Sequence, residues 1–118
     1  MNITTELMAL PGVMAAGEYA YRGDRYSYEG NLNDEMARMA SVMCRATSLG
    51  VHMECNILES VCHGCGLTPG QGWAVRGADY TVCVINNIFC FLDNEQGRLN
   101  DTLHLMLSKG SNDSNEMV

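Results

Sequence analysis

A chain of 118 residues fits one domain, long enough to bury a single core without help from disulfides or metal. Hydrophobic residues make up 47% and charged ones 18%, and no stretch nears the roughly 18 unbroken apolar residues of a membrane helix, so a soluble domain is expected. Acidic residues number 14 against 7 basic ones, a formal net charge of -7, which speaks against nucleic acid and anionic membrane surfaces as partners.

The N-terminal "MNITTELMALPG" has no basic lead ahead of an apolar run, so no export signal is read, the chain is expected in the cytoplasm and its thiols are expected reduced. Ile3, Leu7 and Leu10 fall at helical spacing, and "LPG" at 10–12 stops that helix. Two strands at 13–21 and 25–30 flank Arg22–Asp24, whose "RGD" reads as a hairpin turn rather than an adhesion signal.

Asn31 or Asn33 caps a long helix with acids in its first turn. Met36, Met39, Met43, Ala46, Gly50, Met53, Ile57 and Val61 keep one apolar stripe to about His63, where Gly64 ends the helix in left-handed geometry. Gly50 is the weak point where it could bend, and the sequence leaves its continuity there open. A second stripe, Ala37, Cys44, Val51, Cys55, Leu58 and Cys62, runs alongside. So wide an apolar arc predicts a helix held between a sheet and something else, in a small domain often a second subunit.

Past the glycine-rich loop 64–72 come strands at 73–76, 79–85 and 88–92, the last two joined by Asn86-Asn87 as a type I′ turn. That turn sets 85 opposite 88, 84 opposite 89 and 83 opposite 90. One face then carries Cys83, Ile85, Ile88 and Cys90, and the other Val82, Val84, Phe89 and Phe91. A hairpin apolar on both faces belongs inside a sheet with helices above and below, a three-layer α-β-α sandwich. A last helix follows with Leu99, Leu103, Met106 and Leu107 inward and His104 near its end. Residues 1–109 are read as one domain and 110–118 as a disordered polar tail.

This α-β-β-α-β-β-β-α order, with "PGVMAAGEYAYRG" opening the first hairpin and "GWAVRGADYTVCVINNIFCFLDN" as the meander, resembles the roadblock (dynein light-chain-like) family over about residues 3 to 108. It looks closest to an uncharacterised branch of small bacterial members, loosely associated with sulfur-oxidising organisms. The resemblance implies a five-stranded antiparallel sheet with the long helix alone on one face. It also implies a homodimer formed through the long helices and the strand after them, here through Met36, Met39, Met43, Met53, Trp73 and Val75. A non-catalytic scaffold or regulator is implied, acting on a small Ras-like GTPase or within a larger assembly.

The cysteines are not explained by that resemblance. Cys62, His63 and Cys65 offer one close pair of thiols with a histidine, whereas a structural zinc site takes four ligands. Cys44, Cys55 and Cys62 lie near one line on the helix but roughly 16 and 10 Å apart along it, too far to share a metal within one chain. A site spanning a dimer, holding metal or persulfide, stays open. As redox thiols, Cys62 and Cys65 stand at a helix C-terminus, where the negative end of the dipole raises a thiol pKa, unless His63 and Arg45 offset it. Cys83 and Cys90 read as small buried apolar side chains. His52 and His63 share a solvated polar face with Arg45 and Glu59. No nucleophile, base and orienter set emerges, and "TPGQG" lacks the lysine and helix of a phosphate loop, so neither enzyme nor resident cofactor is expected.

Overall fold

The computed structural model describes residues 2–22 and 25–113. Gly23 and Asp24 of the expected first turn, and residues 114–118 of the expected tail, lie outside them.

The elements are α1 (Ile3–Met8), β1 (Val13–Tyr19), β2 (Tyr26–Gly30), α2 (Asp34–Val61), β3 (Gly72–Arg76), β4 (Tyr80–Ile85), β5 (Ile88–Asp93) and α3 (Leu99–Asp113). The strands form one antiparallel sheet in the order β2-β1-β5-β4-β3, so β5 is central and β2 and β3 are the edges. Ile85 pairs with Ile88, Val84 with Phe89 and Cys83 with Cys90, the register that a two-residue connection dictates. Side-chain alternation then builds two cores. Cys83, Ile85, Ile88 and Cys90 pack with Ile3 and Leu7 of α1 and Met106 of α3. Val84 and Phe89 pack on the opposite face with Tyr19 and with Cys44 of α2. The result is the three-layer sandwich, with α1 and α3 on one side and α2 on the other.

The β4–β5 turn and the long helix are placed residue by residue. Only Asn86 of the β4–β5 turn takes positive φ, at 54°, so the turn lacks the second left-handed residue of type I′. Asn87 is instead bound to the end of β1: its Nδ2 donates to Tyr19 O, and Tyr19 N donates to Asn87 O, both at 3.0 Å. Asn33 is the cap of α2, its side chain accepting from Met36 N at 2.8 Å, and the helix runs 28 residues through Gly50 unbroken.

Helix α3 continues to Asp113, so His104 lies near its middle and residues 110–113 are helical rather than tail. Its inward face centres on Thr102 and Met106, one helical step of four apart, with Leu103 and Leu105 beside them. Leu99 and Leu107 are turned outward instead.

Candidate interaction face and thiol site

Helix α2 meets the sheet through its small residues. Ala37, Ser41 and Cys44 are buried beneath it, and Ser41 Oγ donates to Ala37 O, which removes the cost of burying its hydroxyl. The methionine stripe therefore turns outward, and of the cysteine stripe Ala37 and Cys44 face the sheet while Leu58 and Cys62 are exposed. Met36, Met39, Met43 and Met53 are all exposed, Met43 by 63%, and the apolar surface continues through Ile57 to Val61 at 79%. Val42, Leu49 and Leu58 widen it on either side. A groove of about 320 Å³ lies between this face and the sheet, walled by Leu32, Met36, Met39, Met43, Trp73 and Phe91.

Trp73, named above for the dimer interface, lies on the edge strand β3 with its side chain toward α2. It alternates inward on β3, is half-buried in the α2-side core and donates Nε1 to Ser48 Oγ at 2.8 Å. Tyr19 reaches the same Ser48 oxygen at 3.3 Å and also lies 3.1 Å from Asn86 O. Burial, the largest influence on Tyr19, pushes its hydroxyl up to about 12 and keeps it protonated. Ser48 thus ties α2 to β1 and β3. Val75, two residues on and on the same face of β3, is exposed, on a strand that pairs only with β4 among the described residues. Among the described residues the outer backbone edge of β3 has no strand partner.

At the far end of α2, Cys62 and Cys65 are joined as a disulfide, in place of the reduced pair expected from the sequence. The helix ends at Cys62, and Gly64 at φ 78° turns the chain back to bring the two Cα atoms to 5.7 Å. Glu59 organises that turn. Its carboxylate accepts from the backbone N–H of Gly64 at 2.7 Å, Cys65 at 3.1 Å and Leu67 at 3.0 Å, with Thr68 Oγ at 3.4 Å. These donors, the Leu67 N–H foremost, hold the carboxyl below the usual range.

Read in sequence as part of a solvated face, Glu59 is the residue that shapes the thiol loop. The available signal was a carboxylate one turn before a glycine-rich loop full of unpaired amides. Arg45 is not near the thiols: 17 positions along a helix is roughly 25 Å, and its Nε donates to Tyr21 O at 2.6 Å. His63 is exposed beside the disulfide. In the disulfide form Cys62 and Cys65 have no thiolate to offer a metal. Among the described residues no group of three or more His, Cys, Asp or Glu side chains is placed to hold one.

The remaining cysteines are free thiols. Cys44, Cys83 and Cys90 are buried, and Cys55 is half-buried against Gly70. Cys83 and Cys90 stand opposite each other on β4 and β5, with Cys83 Sγ 3.9 Å from Met106 Sδ.

Comparison with known proteins supports the architecture. The chain is similar to the crystal structure of a Roadblock/LC7 domain from Streptomyces avermitilis, 14% identical over 92% of both chains with a TM-score of 0.62, and it has that domain's fold. No curated protein matches it. The family model described as "Uncharacterized conserved protein (DUF2173)" matches residues 3–108, nearly the whole chain, and the protein belongs to that family.

Proposed function

We propose that the protein works without catalysis, as a cytoplasmic homodimer that serves as scaffold or regulatory subunit through protein–protein contact. The observation that carries this reading is the outward apolar face of α2, from Met36 to Val61. A contiguous apolar surface along a 28-residue helix is more than a monomer ordinarily leaves in water. Two copies packing α2 on α2, with β3 edges side by side, would cover it and satisfy the unpaired strand. The methionines suit such a face because their unbranched side chains adapt to an imperfect partner surface. Beyond itself, the dimer's candidate partners by fold likeness are a small Ras-like GTPase or the subunits of a larger assembly. No cofactor belongs to this reading.

Analytical ultracentrifugation tests it. Wild type should sediment as a dimer, and Met43→Glu or Met39→Glu as monomer or aggregate; a variant dimer indistinguishable from wild type would refute the interface.

A second reading rests on the Cys62–Cys65 disulfide and the loop that Glu59 holds around it. Here the pair acts as a redox couple or as a carrier of persulfide sulfur, as in sulfur oxidation. After reduction, alkylation of Cys62 or Cys65 much faster than free cysteine at neutral pH would support it. Sluggish reaction of both would remove its basis.

A further inference from the structure

We propose that Cys83, Cys90 and Met106 form a buried three-sulfur site for a soft monovalent metal ion, Cu(I). Cys83 and Cys90 are partners across β4 and β5, so their side chains leave the same face of the sheet. Both are free thiols, and they share a hydrogen bond. Helix α3 lays Met106 over them, with Cys83 Sγ 3.9 Å from Met106 Sδ. All three residues are completely buried. Their spacing in sequence matches no metal motif, because the hairpin and the last helix bring them together only on folding.

The sulfurs already stand at a metal-binding distance. Bonds of about 2.3 Å from one ion to three sulfurs at trigonal angles put those sulfurs roughly 4 Å apart, close to the 3.9 Å between Cys83 and Met106. The donor set then selects the ion. Thiol and thioether sulfurs are soft ligands that suit Cu(I), whereas hard divalent ions prefer oxygen. Structural zinc takes four ligands, and the side chains packed around these sulfurs, Ile3, Leu7, Ile85, Ile88 and Leu92, are hydrocarbon. Charge points the same way, because a divalent ion is costly to bury among hydrocarbon while Cu(I) bound to one thiolate is neutral. On binding, Cu(I) replaces the proton of one thiol, which passes to solvent, and the second thiol and the thioether each donate a lone pair. No electron is transferred. Met106 belongs to α3, the last element in chain order, so the ion enters before α3 docks and is enclosed when that helix closes over the sheet. Once bound, it ties α3 to β4 and β5.

The test is anaerobic refolding of the full-length chain from urea with Cu(I) buffered by bicinchoninate, which withholds the ion from isolated thiols such as Cys55. A single ion per chain, a shift of the Met106 methyl signal in methionine-methyl NMR and a higher urea midpoint of unfolding are expected. Met106→Leu keeps the volume of the side chain while removing the sulfur, so it should fold as wild type does. It should weaken Cu(I) binding by at least about tenfold, the least that losing even a partner behind a metal ligand costs. The methyl signal is read on the wild-type chain and so does not depend on how the variant folds. Uptake of Cu(I) that leaves the Met106 methyl unshifted, binding by Met106→Leu as tight as by wild type, or no uptake against bicinchoninate would overturn the proposal.

Discussion

Trp73 Nε1 donates to Ser48 Oγ at 2.8 Å, and that bond sets how the edge strand β3 meets the long helix. Both groups are partly buried, so removing the acceptor leaves an indole N–H without a partner in a place where water reaches it poorly. Ser48→Ala should lower stability by about 1 kcal/mol. Trp73 is the sole tryptophan, so its fluorescence during urea unfolding reads the change at the site itself. An unchanged midpoint would show that water replaces the hydroxyl.

A glycine on β1 makes room for the core of the α2 side. A Cβ built on Gly17 would meet the Phe89 ring and stand 2.6 Å from Ser27 O, so the ring occupies the space a side chain would need. Gly17→Ala should therefore force Phe89 off its rotamer and destabilise by about 1–3 kcal/mol, although alanine suits a strand better than glycine does. Thermal denaturation checks the sign: a rise in Tm would mean that the ring moves aside freely.

The sheet and both cores were legible in the sequence because one short turn determines them. Once Asn86-Asn87 is a two-residue connection, the pairing of Cys83 with Cys90 follows, and so does the face on which each residue of the hairpin lies. The methionine stripe was equally visible, but periodicity alone did not say which of two adjacent stripes faces the sheet. Residue size decides that: Ala37, Ser41 and Cys44 allow close approach and methionine does not. Ser48 and Glu59 were hidden for another reason. Their roles depend on what lies across space from them, Trp73 for one and loop amides for the other, and no local pattern encodes such a meeting.

Glu59 makes the thiol loop sensitive to acid. Its folded pKa is lowered by the Leu67 N–H and its neighbours, so its contribution is complete above the ordinary carboxyl range and is lost as pH falls through the lowered value. We expect the amides of Gly64, Cys65 and Leu67 to shift together in that acid window and to exchange faster with solvent. Glu59→Gln should reproduce the faster exchange at neutral pH and speed reduction of the Cys62–Cys65 bond by a dithiol. If those amides titrate at an unperturbed glutamate value, the carboxylate does not hold the loop in solution.

The buried thiols should be silent where half-buried Cys55 is not. Burial pushes Cys44 up to about 12, and the hydrogen bond with Cys83, followed by burial, pushes Cys90 up as well. Nucleophilic attack needs thiolate and access; the hydrogen bond with Cys90 pulls the Cys83 thiol down, yet all three side chains are buried and offer no access. Iodoacetamide at about pH 8 should label Cys55 in the folded protein while sparing Cys44, Cys83 and Cys90 until urea unfolds it. Native labelling of Cys83 or Cys90 would mean that β4 and β5 open far more readily than their central place in the sheet implies.

Gly50 separates what the helix needs alone from what it needs in a dimer. Among the described residues nothing beyond the helix's own backbone lies within 4 Å of a Cβ placed there, so within one subunit Gly50→Ala should gain about 0.5–1 kcal/mol of helix stability. Yet Gly50 shares the outward side of α2 with Met43, Met53 and Ile57, where a second helix would come closest if the proposed dimer forms. An added methyl at the crossing would hold the two backbones apart. The expected result is opposite signs: unfolding measured at concentrations too dilute for association moves to higher urea, while the dimer dissociation constant from sedimentation rises. A gain in stability with no loss of association would place the helix crossing elsewhere along the stripe, nearer Met43 or Ile57, and a loss of stability in the dilute chain would contradict the open space around Gly50 itself.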